Sequence, residues 1–263
     1  MSTPRPLALV TGASSGIGLE LARLLAGDGH DLVVNAEDDA LQTAAEELRA
    51  SGGDVVAVQA DLRTPEGVQK VHAAVTAVGR PLEVACLNAG VGLGRAFVDQ
   101  DLERALAVVD LNVRSTVHLA HLLLRDMVAR DRGRLLITSS IASTQPGAFQ
   151  AVYNASKSFT QSFAEALQEE LKDSGVTVTS LMPGPTETEF FERGDLTDTR
   201  VGQSSKDDAA DVAKQGYDAL RKGDRRVVAA GLTTKLMEAA GKVTPDAVKA
   251  KVHRGMAEPQ DQD

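Results

Sequence analysis

Over its first 180 residues the chain alternates short apolar, β-branched runs with longer stretches of helical spacing. Few patterns restrict a fold as much. Leu7-Ala8-Leu9-Val10 is a continuous apolar run followed by glycines, as expected of a strand buried on both faces. Helical spacing then runs over 17–26 and stops at Gly27-Asp28-Gly29. The same reading predicts strands over 31–35, 54–59, 82–87, 134–138 and 176–181. It predicts helices over 39–50, 66–78 and 152–172, and a long one over 102–130 broken near Asp110. Strands separated by helices need crossover connections, so their sheet is parallel and covered on both sides. The expectation is an α/β chain forming a single doubly wound, Rossmann-like domain over 1–263, with a mostly parallel sheet and helices on both faces. Pro183 ends the alternation, and 184–206, rich in Pro, Thr, Gly and charge, is expected to form a substrate lid. A helix over 207–222, a strand over 226–229 and a helical tail over 232–263 follow. The end of that tail, 257–263, is expected to fray.

Composition excludes several function classes. There are 28 Lys and Arg against 37 Asp and Glu, a formal charge of −9, which disfavours non-specific nucleic-acid binding. The one cysteine, Cys86, rules out an internal disulfide and every multi-cysteine zinc pattern, and is read as a small buried strand residue. No apolar run approaches the length of about 18 residues needed to span a membrane, and Met1 to Pro6 lead straight into strand pattern. A cytoplasmic protein is expected. His118 and His121 stand three residues apart without further ligands, so no metal is expected.

Thr11-Gly12-Ala13-Ser14-Ser15-Gly16-Ile17-Gly18 joins the first strand to the first helix. In a doubly wound sheet this turn lies at the carboxyl edge, where ligands bind. Its glycines permit a tight turn and close approach, and the free N–H groups of the helix start favour phosphate. The stretch also satisfies G-x-S-x-G with Ser14 in the nucleophile place, which raises a hydrolase with His253 as partner. Against that, His253 lies in a charged tail and is read as solvent-exposed. Further on, Tyr153 and Lys157 fall four apart on a predicted helix, so they share one face. A nearby ammonium favours the phenolate, and such a pair can move a proton to or from an alcohol or carbonyl. Ser140 sits just beyond the strand that ends at Thr138.

The residues Thr11-Gly12-x-x-x-Gly16-x-Gly18, Asn88-Ala89-Gly90, Asn112, Ser140 and Tyr153-x-x-x-Lys157 occur in that order. Together they resemble the short-chain dehydrogenase/reductase family, over about residues 5–190. The resemblance implies a nicotinamide-dependent oxidoreductase acting on a small alcohol, ketone or aldehyde, assembled as a homodimer or homotetramer. It implies Tyr153 as the acid in carbonyl reduction and the base in alcohol oxidation. Lys157 would hold the nicotinamide ribose and stabilise the phenolate, Ser140 would orient the substrate oxygen, and Asn112 would help hold a water leading to Lys157. Gly12, Ser14, Ser15, Gly16, Ile17 and Gly18 would line the pyrophosphate, with Asp61 and Leu62 at the adenine. Asn88, Ala89 and Gly90 would run beside the adenosine ribose. Pro183-Gly184-Pro185-Thr186-Glu187-Thr188 would hold the carboxamide through the Thr186 backbone and the Thr188 hydroxyl. Substrate choice is expected to rest on the lid, on the loop after Gly90 and on 141–150, with Ile141, Phe149, Phe190 and Phe191 making a moderately apolar pocket.

Two departures stand out. Leu87 replaces the first Asn of the family's usual N-N-A-G. At the end of the second strand, Asn35 occupies the place of the acid that binds a ribose 2′-OH, and Ala36 the place of an Arg for a 2′-phosphate. Glu37 and Asp38 follow, and their charge opposes a phosphate, so NAD(H) is favoured over NADP(H). The other classes carried forward are a dinucleotide-binding sensor or scaffold and, behind it, the hydrolase.

Overall fold

The computed structural model describes residues 4–231 and 246–259. Seven parallel strands form one sheet: β1 (Leu7–Thr11), β2 (Asp31–Ala36), β3 (Val55–Gln59), β4 (Leu82–Leu87), β5 (Gly133–Thr138), β6 (Val176–Pro183) and β7 (Arg226–Ala229). Their spatial order is β3-β2-β1-β4-β5-β6-β7. The order reverses between β1 and β4, and ligands bind at the carboxyl ends of strands at such a switch point. Every residue of β1 and β2 is buried, whereas edge strand β3 buries Val55 and Val58 and exposes Val56 and Gln59. β6 runs two residues past the expected end, because Leu181, Met182 and Pro183 still pair with β7.

Both faces of the sheet are covered. Ala8 and Val10 of β1, with Leu32 and Val34 of β2, pack on α1 (Gly16–Gly27), α2 (Ala40–Arg49) and α9 (Ala209–Lys222). Leu7, Leu9 and Val33 face the other way, onto α3 (Pro65–Ala77), α5 (Thr116–Ala129) and α6 (Ala151–Glu170). Helix boundaries follow local chemistry. Thr64 caps α3 by accepting from Gly67 N (3.0 Å), with Pro65 in the first turn. α9 ends on Gly223 in the left-handed region (φ 74°) after Arg221 and Lys222.

The break expected near Asp110 is a π-helical segment, Asp110–Ser115, between α4 (Leu102–Val109) and α5. The wider turn leaves Asn112 buried, its side chain on the backbone of Val91. Segment 184–206 holds two one-turn helices, α7 (Phe190–Arg193) and α8 (Arg200–Gln203). Of the expected tail, 232–245 and 260–263 lie outside the described residues, and α10 spans Asp246–Ala257. The expectation of fraying from 257 does not hold over 257–259: Ala257 is buried and Pro259 bridges to Thr199. Among the described residues no helix is long and apolar enough to cross a membrane, and no cluster of His, Cys, Asp and Glu is placed to hold a metal ion. Cys86 is buried, and burial pushes its thiol up to about 12.

Candidate active site

The β1–α1 turn is set by backbone crowding. Gly16 has φ +53°, and a Cβ there would press on Thr188 Cγ2. A Cβ on Gly18 would overlap the carbonyl oxygen of Gly12 and crowd Asn88 Nδ2. Asn88 ties three strand ends together: Nδ2 donates to Thr11 O (3.3 Å) and Gly12 O (3.5 Å), and Oδ1 accepts from Thr138 Oγ1 (3.0 Å). Thr11 Oγ1 accepts from the backbone N–H groups of Asn88 and Ala89. Ser15 stands at the N-cap of α1 without a side-chain capping bond, and no acid lies in the first turn. Those N–H groups therefore have no side-chain cap, as an anion site needs.

A shallow cleft, open to solvent, runs from this turn. Gly12, Ser14, Asn35, Asp61, Leu62, Ala89 and Gly90, all expected at the cofactor, line it. Asn35 does not present a free amide to a ribose. It is buried, and Nδ2 donates to Val58 O (2.9 Å) and Ala60 O (3.0 Å) of the β3 end. The acids beside it are not bare either, as the local repulsion expected from sequence assumed. Glu37 pairs with Arg63 (2.8 Å), which also holds Asp61 (2.9 Å). Asp38 Oδ2 accepts from Ser14 Oγ (3.1 Å) and pairs with Arg193 of α7 (3.3 Å). Asp38 Oδ1 is buried with no partner. Arg63 and Arg193 were not among the residues singled out from sequence. Their only sequence sign is an acid at close spacing, Asp61 two before Arg63 and Glu189 four before Arg193.

The second cluster stands at the ends of β4 and β5. Ser140 caps the 3₁₀ turn Ile141–Thr144, its Oγ accepting from Ala142 N (3.1 Å). Tyr153 is 8% exposed, and its ring lies 5.1 Å from that of Phe190. Burial pushes the Tyr153 hydroxyl up to about 12, against a smaller opposite pull from its hydrogen bond with Ser140. Lys157, 5% exposed, donates to Thr138 O (2.9 Å), and burial lowers it to about 8. Desolvation dominates at both groups, raising the phenol and lowering the amine. Gly90 lets the two elements close, since a Cβ there would lie 3.1 Å from Asn112 Oδ1 and 3.2 Å from Lys157 Nζ. Asn112 is spent on bracing: Oδ1 accepts from Val91 N, and Nδ2 donates to Val91 O and Ser156 Oγ, each at 2.9 Å.

Pro183 ends β6, Gly184 N donates to Ala229 O (3.2 Å), and Thr186 is buried with Oγ1 on Gly184 O (2.9 Å). This path brings Thr188 to the Gly16 turn. Of the expected pocket residues, Phe190 meets Tyr153, while Phe191 is buried beneath Lys206 and Phe149 lies under Arg254.

His253 is not solvent-exposed. It is 9% exposed, with Nδ1 3.1 Å from Ala148 O and Nε2 3.5 Å from Asn154 Nδ2. Its packing on the 141–150 loop was hidden because α10 docks there from about a hundred residues away in sequence. Ser14, meanwhile, gives its proton to Asp38. The two do not form a nucleophile–base pair, and the hydrolase reading falls.

Known proteins share the sequence pattern and the fold. A family model described as short chain dehydrogenase matches residues 6–198. The 1-deoxy-11-beta-hydroxypentalenate dehydrogenase of Streptomyces exfoliatus is 37% identical over 223 residues, 81% of this chain and 78% of that protein. A short-chain dehydrogenase from Sphingobium yanoikuyae, solved in complex with NADPH, superposes with a TM-score of 0.81 at 26% identity over 98% of this chain and 99% of that one. A Burkholderia phymatum short chain dehydrogenase/reductase in complex with NAD, 23% identical, shares the fold with a TM-score of 0.83 over 100% of this chain and 99% of that one. With the glycine turn, the Ser140–Tyr153–Lys157 cluster and the seven-stranded sheet in place, the chain belongs to the short chain dehydrogenase family.

Proposed function

We propose that the chain is a nicotinamide-dependent oxidoreductase that interconverts a small alcohol and its ketone or aldehyde, with Tyr153 as the proton donor or acceptor. The observation that carries the reading is the placing of Ser140, Tyr153 and Lys157 in one buried cluster beside an uncapped helix N-terminus. The cleft fits a dinucleotide. The first-turn N–H groups of α1 suit the pyrophosphate, and the unpartnered Asp38 Oδ1 suits a ribose hydroxyl as donor. When bound, a nicotinamide supplies the hydride; the protein supplies position and proton. The Ser140 O–H, which meets the Tyr153 oxygen here, would donate to a carbonyl oxygen placed between them. A Tyr153 hydroxyl held near 12 keeps its proton at neutral pH, which suits the reductive direction. Phe190 of the 184–206 lid covers the Tyr153 ring and keeps water from it. Asn112 fixes Val91, and with it the strand end beside Lys157.

NAD(H) is favoured over NADP(H). Four carboxylates, those of Glu37, Asp38, Asp61 and Glu189, stand among two guanidiniums at the adenosine end, and a 2′-phosphate adds further negative charge. Assembly as a homodimer or homotetramer is supported by the exposed Phe97, Val98, Leu102, Leu106 and Val109 on and before α4. A monomer in sedimentation at micromolar concentration would count against it.

A pH profile tests the proton chemistry. Donation by Tyr153 leaves a phenolate that the Lys157 ammonium must stabilise, and Lys157 loses its proton near pH 8. The kcat for carbonyl reduction should be flat below pH 8 and fall about tenfold per unit above it. Unfolding through Lys157 does not explain such a fall. The unfolded chain keeps this proton to about 10.5, so between 8 and 10.5 the unfolded state binds more protons and the group's contribution to stability rises with pH. A profile flat to about pH 10 would contradict the role given to Lys157.

A further inference from the structure

α7 reaches both the Tyr153 cluster and the cleft. Phe190 lies on Tyr153, and three residues on, Arg193 lines the adenosine end and pairs with Asp38. The helix is held in place around these contacts: Gly94 N donates to Gly194 O (2.7 Å), Arg104 pairs with Asp195, and Arg95 pairs with Asp198. Arg193 meets its two carboxylates, Asp38 (3.3 Å) and Glu189 (2.6 Å), through one nitrogen, Nη2. A guanidinium carries five donors in a planar fork whose geometry matches a phosphate. Arg63 is differently placed: it is taken up by Glu37 and by both oxygens of Asp61, and it is not among the residues that line the cleft.

We propose that Arg193 is a 2′-phosphate receptor held in reserve: Asp38 occupies its guanidinium, so the chain reads a 2′-hydroxyl, and removing the Asp38 charge hands the same arginine to a 2′-phosphate. This rests on the dinucleotide reading above. It moves the choice of cofactor from the end of β2, where Asn35 is bonded to backbone and Ala36 has no polar group, to a pair formed between the start of α2 and the lid. The same one-turn helix thus carries the residue that reads the adenosine end, Arg193, and the one that covers Tyr153, Phe190.

The test is a fluorescence titration of NADH and NADPH into the wild type, Asp38→Asn, Arg193→Ala and the double variant, with thermal melts as a check on folding. Asp38 and Arg193 have side chains 27% and 45% exposed, so all four proteins are expected to fold. Asp38→Asn should tighten NADPH about tenfold and weaken NADH, and adding Arg193→Ala should remove most of that NADPH gain. The same Arg193→Ala change in the presence of Asp38 should affect NADPH much less. A double variant that keeps the whole gain would show that only repulsion was relieved and would overturn the proposal, as would an unchanged NADPH-to-NADH ratio in Asp38→Asn. If the wild type bound neither dinucleotide, the functional reading itself would fall; NADH binding with an unchanged ratio rejects the reserve arginine alone.

Discussion

Tyr153→Phe should lower carbonyl-reducing turnover by about a thousandfold, while NADH affinity and melting temperature stay near those of the wild type. The substitution removes one hydroxyl. The ring keeps its contact with Phe190 at 5.1 Å, so packing around the 184–206 segment is retained. The lost partner is Ser140, whose Oγ still accepts from Ala142 N (3.1 Å) and holds its turn. Removing a buried hydroxyl of this kind shifts stability by about 1 kcal/mol or less when its partner can turn elsewhere. A general acid, in contrast, contributes about 10²- to 10⁴-fold to rate. Steady-state turnover beside NADH titration separates the two quantities. Wild-type turnover in the variant would remove Tyr153 from the chemistry.

Gly18→Ala is expected to cost about 3 kcal/mol and to abolish dinucleotide binding, because the added carbon meets backbone. The obstacle is the Gly12 carbonyl, which has no room to retreat. Gly12 is itself at φ +66°, and Asn88 holds Thr11 O and Gly12 O while accepting from Thr138. Relief therefore means opening the β1–α1 turn, and with it the N-terminus of α1. Gly27, at the other end of the same helix, is the control. No atom lies within 4 Å of a Cβ built there, so Gly27→Ala should be neutral or stabilise by up to about 1 kcal/mol through helix propensity. The two substitutions add the same methyl to the same helix with opposite expected signs. Thermal denaturation of the pair checks this, and equal melting temperatures would contradict it.

Much of the fold was legible because its determinants are local. β1 and β2 are buried along their whole length and carry the apolar runs 7–10 and 32–34, and Thr64-Pro65 and Gly223 punctuate helices by their own conformational preferences. A break near Asp110 is expected from the sequence. Its form, a π-helical segment that buries Asn112 against Val91, depends on a contact with a residue 21 positions away. The same limit explains the adenosine end. Glu37 and Asp38 read as bare acids in sequence because their partners, Arg63 and Arg193, stand 26 and 155 residues away. Asn35 stands at an acid's position, yet its amide is taken up by β3 carbonyls, which register places and composition does not. His253 was misread for a related reason. A charged helix normally signals solvent, and only the docking of α10 on the 141–150 loop buries one face of it. The proton levels of Tyr153 and Lys157 follow from how deeply the cluster is buried, a tertiary property that four-residue spacing does not report.

The most direct test of the proposed chemistry is to supply NADH deuterated at the transferable position with a panel of ketones and aldehydes, and to analyse the products by mass spectrometry. The account predicts at least one alcohol carrying a single deuterium on the former carbonyl carbon, formed by the wild type and absent with Tyr153→Phe. Tight NADH binding by the wild type with no deuterated alcohol from any carbonyl in the panel would contradict it.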